Sequence, residues 1–115
     1  MYCAQLADEK KAVDIVVLDV SRLTFITDYF TICSGINKRQ LQSIANDIEQ
    51  KMSALGVHRL GIEGFNDARW ILLDYGDVIV HLFDKETRSF YDLELLWGDA
   101  PKVKWQSKKI LFQAQ

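Results

Sequence analysis

Proline, cysteine and histidine are scarce in this chain of 115 residues, which has one Pro, two Cys and two His. Cys3 and Cys33 are too few and too widely separated for a disulfide framework, and neither belongs to a Cys-x-x-Cys pair of the kind that binds zinc or exchanges thiols. Cys33, inside "YFTICS", reads as a small buried apolar residue, and Cys3 stands near a chain end expected to be mobile; neither reads as catalytic. His58 and His81 offer no pair at metal-ligand spacing. The six glycines form no Gly-x-Gly-x-x-Gly, no phosphate-binding loop and no Gly-x-Ser-x-Gly, so the usual signatures of dinucleotide, nucleoside-triphosphate and serine-hydrolase chemistry are missing. No metal or cofactor is expected. No apolar run approaches the roughly 20 residues of a membrane span. The opening "MYCAQLADEKKA" has neither the apolar core of a signal peptide nor the Arg/Ser-rich, acid-poor character of a transit peptide. A cytoplasmic protein without membrane contact is expected.

Charge is unevenly spread behind a net value of −2. Residues 1–101 hold ten Lys/Arg against sixteen Asp/Glu, whereas 102–115 hold Lys102, Lys104, Lys108 and Lys109 and no acid. Binding nucleic acid through its phosphates needs a clustered positive surface, so an acidic body argues against it and suits a basic protein partner instead. The Lys-rich C-terminal stretch reads as a solvated tail.

What is present is enough apolar sequence, 49% of the chain, for one core. A single domain over 1–101, followed by the tail, is expected. "VDIVVLDV" is β-branched and alternates weakly, as a strand buried on both faces would; "DYFTICS" is a second strand after the irregular "SRLTFIT". Asn37, with Gln40 three residues on, makes a capping box. Leu41, Ile44, Ala45, Ile48, Met52 and Leu55 then keep helical spacing up to Gly56, which supplies the stop. "HRLGIEGF" is a short strand weakened by Gly61. Asp84 can cap a helix over "KETRSFYDLELLW" with Phe90, Leu93, Leu96 and Trp97 on one side, ended by Gly98 and Pro101. The order of elements predicts an α/β domain with a mixed sheet of about five strands and two or three helices.

Between these elements lies "RWILLDYGDVIVHLF", which reads as a hairpin turning at Tyr75-Gly76. That turn sets Asp74 opposite Asp77 and Trp70 opposite His81. Alternation places Ile71, Leu73, Val78, Val80 and Leu82 on an aliphatic face fit for the core. The other face, with Trp70, Leu72, Asp74, Asp77, Ile79, His81 and Phe83, is mixed. Facing carboxylates are unfavourable by up to about 1 kcal/mol. They serve either as turn formers or as a site for a partner's Lys or Arg, beside a Trp that could be a desolvated anchor. From residue chemistry alone, His81 beside Trp70 reads as a packed, hydrogen-bonded side chain rather than a ligand. Asp74-x-x-Asp77 could hold Mg²⁺, but no basic phosphate-holding loop accompanies it.

"ADEKKAVDIVVLDVS", "TDYFTICSG", "LGIEGF", "RWILLDYGDVIVHLF" and "FYDLELLWGDAP" follow the order of the segments of the ribosomal silencing factor family, the Iojap-like proteins, and the chain resembles that family over roughly 7–101. The resemblance implies a fold similar to the nucleotidyltransferase superfamily. The Gly-Ser of those enzymes is here reversed as Ser34-Gly35, and their Asp-x-Asp is missing, which implies a non-enzymatic binding module. It further implies a repressor of translation under nutrient limitation. Such a repressor binds the large ribosomal subunit through large-subunit ribosomal protein fourteen, a basic protein on the joining face, and keeps the small subunit from docking; a homodimer is possible. The matching segment nominates Trp70, Leu72, Asp74, Tyr75, Asp77 and His81 as contact residues, with Tyr91 and Glu94 behind them, whereas Asp28 reads as a residue that orients its loop. Two alternatives stay open: a large-subunit assembly factor, and a metal-dependent nucleotidyl-transferring enzyme using Asp74 and Asp77.

Overall fold

The computed structural model describes residues 1–106, so Lys108 and Lys109 of the tail lie outside the described residues. Its elements are α1 (Tyr2–Glu9), β1 (Val13–Asp19), β2 (Tyr29–Gly35), α2 (Lys38–Ala54), β3 (Gly61–Glu63), β4 (Trp70–Asp74), β5 (Val78–Asp84), α3 (Lys85–Tyr91) and the single turn α4 (Leu93–Leu96). The strands form one sheet in the order β1-β2-β5-β4-β3. β2 and β5 run parallel at its centre and the other pairs are antiparallel, which makes the α/β mixed sheet expected.

Local chemistry sets the edges of α2 as the sequence predicts. The Asn37 side chain accepts from Gln40 N–H at 2.8 Å, and the Gln40 side chain reaches back to Ile36 N–H at 2.7 Å, one residue before the donor of a standard capping box. At the far end Gly56 takes φ +81°, and Val57 N–H and Gly56 N–H close onto the Met52 and Ser53 carbonyls, a Schellman motif.

Both faces of the sheet are covered. On one, Cys3, Leu6 and Ala7 of α1 and Leu41, Ile44 and Ile48 of α2 bury Ile71, Leu73, Val80 and Leu82. This aliphatic face was expected; α1 was not. The end thought to be mobile is a helix whose Cys3, Ala4, Leu6 and Ala7 are buried at helical spacing.

The opposite face also belongs to the core, contrary to the open mixed surface foreseen for it. Leu18, Phe30, Ile32, Ile79 and Phe83 lie beneath Leu93, Trp97 and Ala100, with Trp70 and Leu72 at the margin. The expected single helix over 85–97 is broken at Asp92, which takes φ +46°. The break changes the helical phase. Leu93 and Trp97 pack inward while Phe90 and Leu96 stay 80% and 72% exposed, so the one-sided stripe predicted for these four residues does not form.

The hairpin register also differs from expectation. A two-residue turn needs positive φ at both central positions, or Gly in the first. Among Tyr75 and Gly76, only Gly76 has positive φ, at +83°. The turn therefore moves one residue on, to Gly76-Asp77 with Gly in the first central position, closed by Tyr75 N–H onto the Val78 carbonyl at 2.9 Å: Asp74 pairs with Ile79, Leu72 with His81 and Trp70 with Phe83. This slip is of two residues, and the side-chain period of a strand is also two, so every side chain keeps its predicted face.

Candidate protein-binding surface

The nominated residues fall into two groups. Trp70 and His81 meet beneath Tyr91, whereas Asp74, Tyr75 and Asp77 sit at the hairpin loop. Trp70 and Asp74 are at opposite ends of β4, about 13 Å apart by strand rise.

In the first group, β4 and β5 place Trp70 beside His81, and Trp70 Nε1–H donates to His81 Nδ1 at 3.0 Å. The indole also lies 4.9 Å from the Phe83 ring and 4.8 Å from that of Tyr91. His81 is 4% exposed, which removes it from direct contact with any partner in this conformation. Burial pushes its imidazole down to about 4, so the ring is neutral, and with Nδ1 accepting, the proton resides on Nε2. Leu72 is half-buried at the edge of the second core.

The second group has other work. Asp74 accepts from Gly76 N–H at 2.8 Å, which is the turn-former role, and its carboxylate does not face that of Asp77 because the register has moved. Asp77 is exposed; its carbonyl accepts the Asp28 and Tyr29 amides and ties the loop before β2 to the hairpin. Tyr75 turns to the α1/α2 side, where burial raises its hydroxyl to about 12. Glu94 pairs with Arg88 at 2.8 Å, and Arg88 Nη1 donates to Ser34 Oγ at 2.9 Å, so Glu94 anchors α4 to β2. Among the described residues no group of three or more His, Cys, Asp or Glu could hold a metal ion. Burial raises the thiols of Cys3 and Cys33 to about 11 and about 12, away from nucleophilic reactivity at neutral pH.

Beside Trp70 a groove of about 670 Å³ opens between the start of β4 and α3. Its aromatic wall is Trp70, Phe90 and Tyr91, and its rim carries Asp67, Asp84 and Glu86 with Arg69. Asp84 is engaged in capping α3 through Thr87 N–H at 2.7 Å. Phe90 and Glu86 were not among the nominated residues. Phe90 looked like core only because the helix was expected to continue past Asp92.

The family model for "ribosomal silencing factor during starvation" matches residues 1–114, the described fold and the stretch after Pro101 included. The chain belongs to the ribosomal silencing factor family. A relative named ribosomal silencing factor in Bacillus subtilis is 47% identical over 98 residues, covering 85% of this chain and 83% of its own. A crystal structure of a Chromobacterium violaceum protein superposes with a TM-score of 0.81 at 35% identity, covering 84% of this chain and 80% of that one. A more distant family relative in mouse, named mitochondrial assembly of ribosomal large subunit protein 1, is 34% identical over 95 residues. Those residues are 80% of this chain but only 42% of the mouse protein. Among the described residues, no helix of this family member is long and apolar enough to cross a membrane.

Proposed function

We propose that this chain is a cytoplasmic, non-enzymatic repressor of translation under nutrient limitation. It binds the large ribosomal subunit through large-subunit ribosomal protein fourteen and sterically keeps the small subunit from joining. Beyond family membership, the observation that carries this reading is the groove beside Trp70. Aromatic side chains on its wall, Tyr91 51% and Phe90 80% exposed, stand next to carboxylates on an acidic body. Exposed aromatics rimmed by one sign of charge are the makings of a hot spot for a basic protein.

Sedimentation of purified subunits with and without the protein tests it. The protein should migrate with the large subunit and reduce the yield of joined ribosomes; migration with neither subunit would sink the proposal. Tyr91→Ala, half exposed and packed on Trp70, should weaken large-subunit binding at least tenfold, about 1.4 kcal/mol, at a cost of about 1 kcal/mol in stability. Trp70→Ala should weaken binding too, but at a cost of about 2 kcal/mol in stability, because the ring is half-buried against Phe83 and Tyr91. That is below the stability of an ordinary domain, so the variant should still fold.

The mouse relative's name favours a second reading, a role in large-subunit assembly at the same surface. Cells lacking the protein would then accumulate large-subunit precursors in rich medium. Under the repressor reading, subunits mature normally and joined ribosomes persist on starvation.

A further inference from the structure

Buried histidine at position 81 is poorly explained by packing. With Nδ1 accepting from Trp70, the Nε2–H finds no hydrogen-bond partner among the described residues, and the Phe30 ring stands perpendicular to the imidazole at 4.8 Å. A buried donor without a partner is destabilising, and a Phe or Leu in this apolar setting would avoid that cost. The fold carries this defect, and what it obtains in return is a single acceptor aimed at the Trp70 indole.

The acceptor matters because of where Trp70 sits. Its ring packs against those of Phe83 and Tyr91 at 4.9 and 4.8 Å, and the hydrogen bond its N–H makes is to His81 Nδ1. Turning the ring over would carry Nε1–H away from its acceptor and leave it unpaired or reaching for water. With His81 in place, one orientation satisfies the donor, and in that orientation the indole forms the wall of the groove with Tyr91.

We propose that His81 is a positioning residue: its Nδ1 locks the Trp70 indole in the orientation that presents the binding groove, without itself touching the partner. The inference rests on the docking role proposed for Trp70. It implies that the partner meets a preformed aromatic wall and loses little entropy ordering it on binding.

A double-mutant cycle on large-subunit binding tests it, with His81→Phe removing the acceptor and Trp70→Phe removing the donor while keeping a ring. His81→Phe should weaken binding about tenfold in the native background and have no effect in the Trp70→Phe background. His81→Asn, whose amide oxygen can take the place of Nδ1, should recover part of the loss. In the free protein, the Trp70 indole N–H should exchange slowly with solvent, fast in His81→Phe and slow again in His81→Asn. Equal losses from His81→Phe in both backgrounds would make His81 merely structural and overturn the inference. So would native binding by His81→Phe when Tyr91→Ala has lost it; the docking reading would then stand alone. Native binding by folded Trp70→Ala and Tyr91→Ala would remove the docking reading itself, and the positioning role with it.

Discussion

A neutral imidazole held in an apolar pocket couples folding to pH. In the unfolded chain His81 titrates near 6.5; in the fold burial lowers it to about 4. Between these values the unfolded chain binds a proton that the folded one refuses. Stability from this group is therefore fully present above 6.5 and drains away as pH falls toward 4. From pH 7 to pH 5 the loss should be about 2 kcal/mol, at roughly 1.4 kcal/mol per pH unit below 6.5. Urea unfolding at the two values should show it, and His81→Phe should have a pH dependence flatter by that amount. An identical slope in the variant would mean that His81 protonates freely in the folded protein, and that its ring is not sealed. The same residue shows why its role was obscure in the sequence. "HLF" following "DVIV" shows that His81 is on the face of Trp70, but whether that face was open or covered depended on where residues 93–100 would lie.

At the scale of elements, glycine conformation divides boundaries that are local from those that are not. Gly56 ends α2 with φ +81° and has open space where a Cβ would go. Gly56→Ala should cost only the strain of a left-handed alanine, about 1 kcal/mol, with no change in binding. Gly64 has φ +76°, and there a Cβ would collide with the Trp70 carbonyl oxygen. Gly64→Ala should therefore cost more than about 2 kcal/mol and displace the first residue of β4, weakening large-subunit binding as well. Comparing the two variants by chemical denaturation and cosedimentation separates backbone strain from displacement of the groove. α2 could be read from the sequence because its cap, its apolar stripe and its stop lie within a few residues of one another. The break at Asp92 was harder to read: Asp tolerates positive φ and here caps α4 by accepting from Leu95 N–H at 3.3 Å, but that short signal lies inside a continuous helical spacing, and the packing of Leu93 and Trp97 on the sheet also favours the break. The site was half legible for a related reason. Strand parity put Trp70 and His81 on one face even with the register wrong, but the Arg88 partner of Glu94 and the inward turn of Tyr75 are tertiary facts.

The molecule as a whole has to protect two sheet edges, since an open strand edge invites pairing with another chain. β3 is only three residues long and ends at the Gly64 turn. β1 is longer and is blunted twice. Its ladder to β2 is irregular between Val13 and Val16, with Asp14 at φ +51°, and its outer side carries the stretch after Ala100. There Asp19 N–H donates to the Pro101 carbonyl at 2.9 Å and Val103 N–H to the Val17 carbonyl at 2.8 Å, while Gln5 of α1 donates to the Trp105 carbonyl at 3.0 Å. This strap joins the roof over the second core to the helix under the first, with Lys102 and Lys104 along its course. Val103→Pro deletes one of its donors without touching either core. Stability should fall by about 1 kcal/mol, and exchange of the Asp19 amide should accelerate as the strap lifts. Self-association should rise with concentration as the β1 edge becomes available. Unchanged Asp19 exchange would show that the strap is held by Ala100 and Trp97 in the core beneath it, and that its backbone bonds only follow.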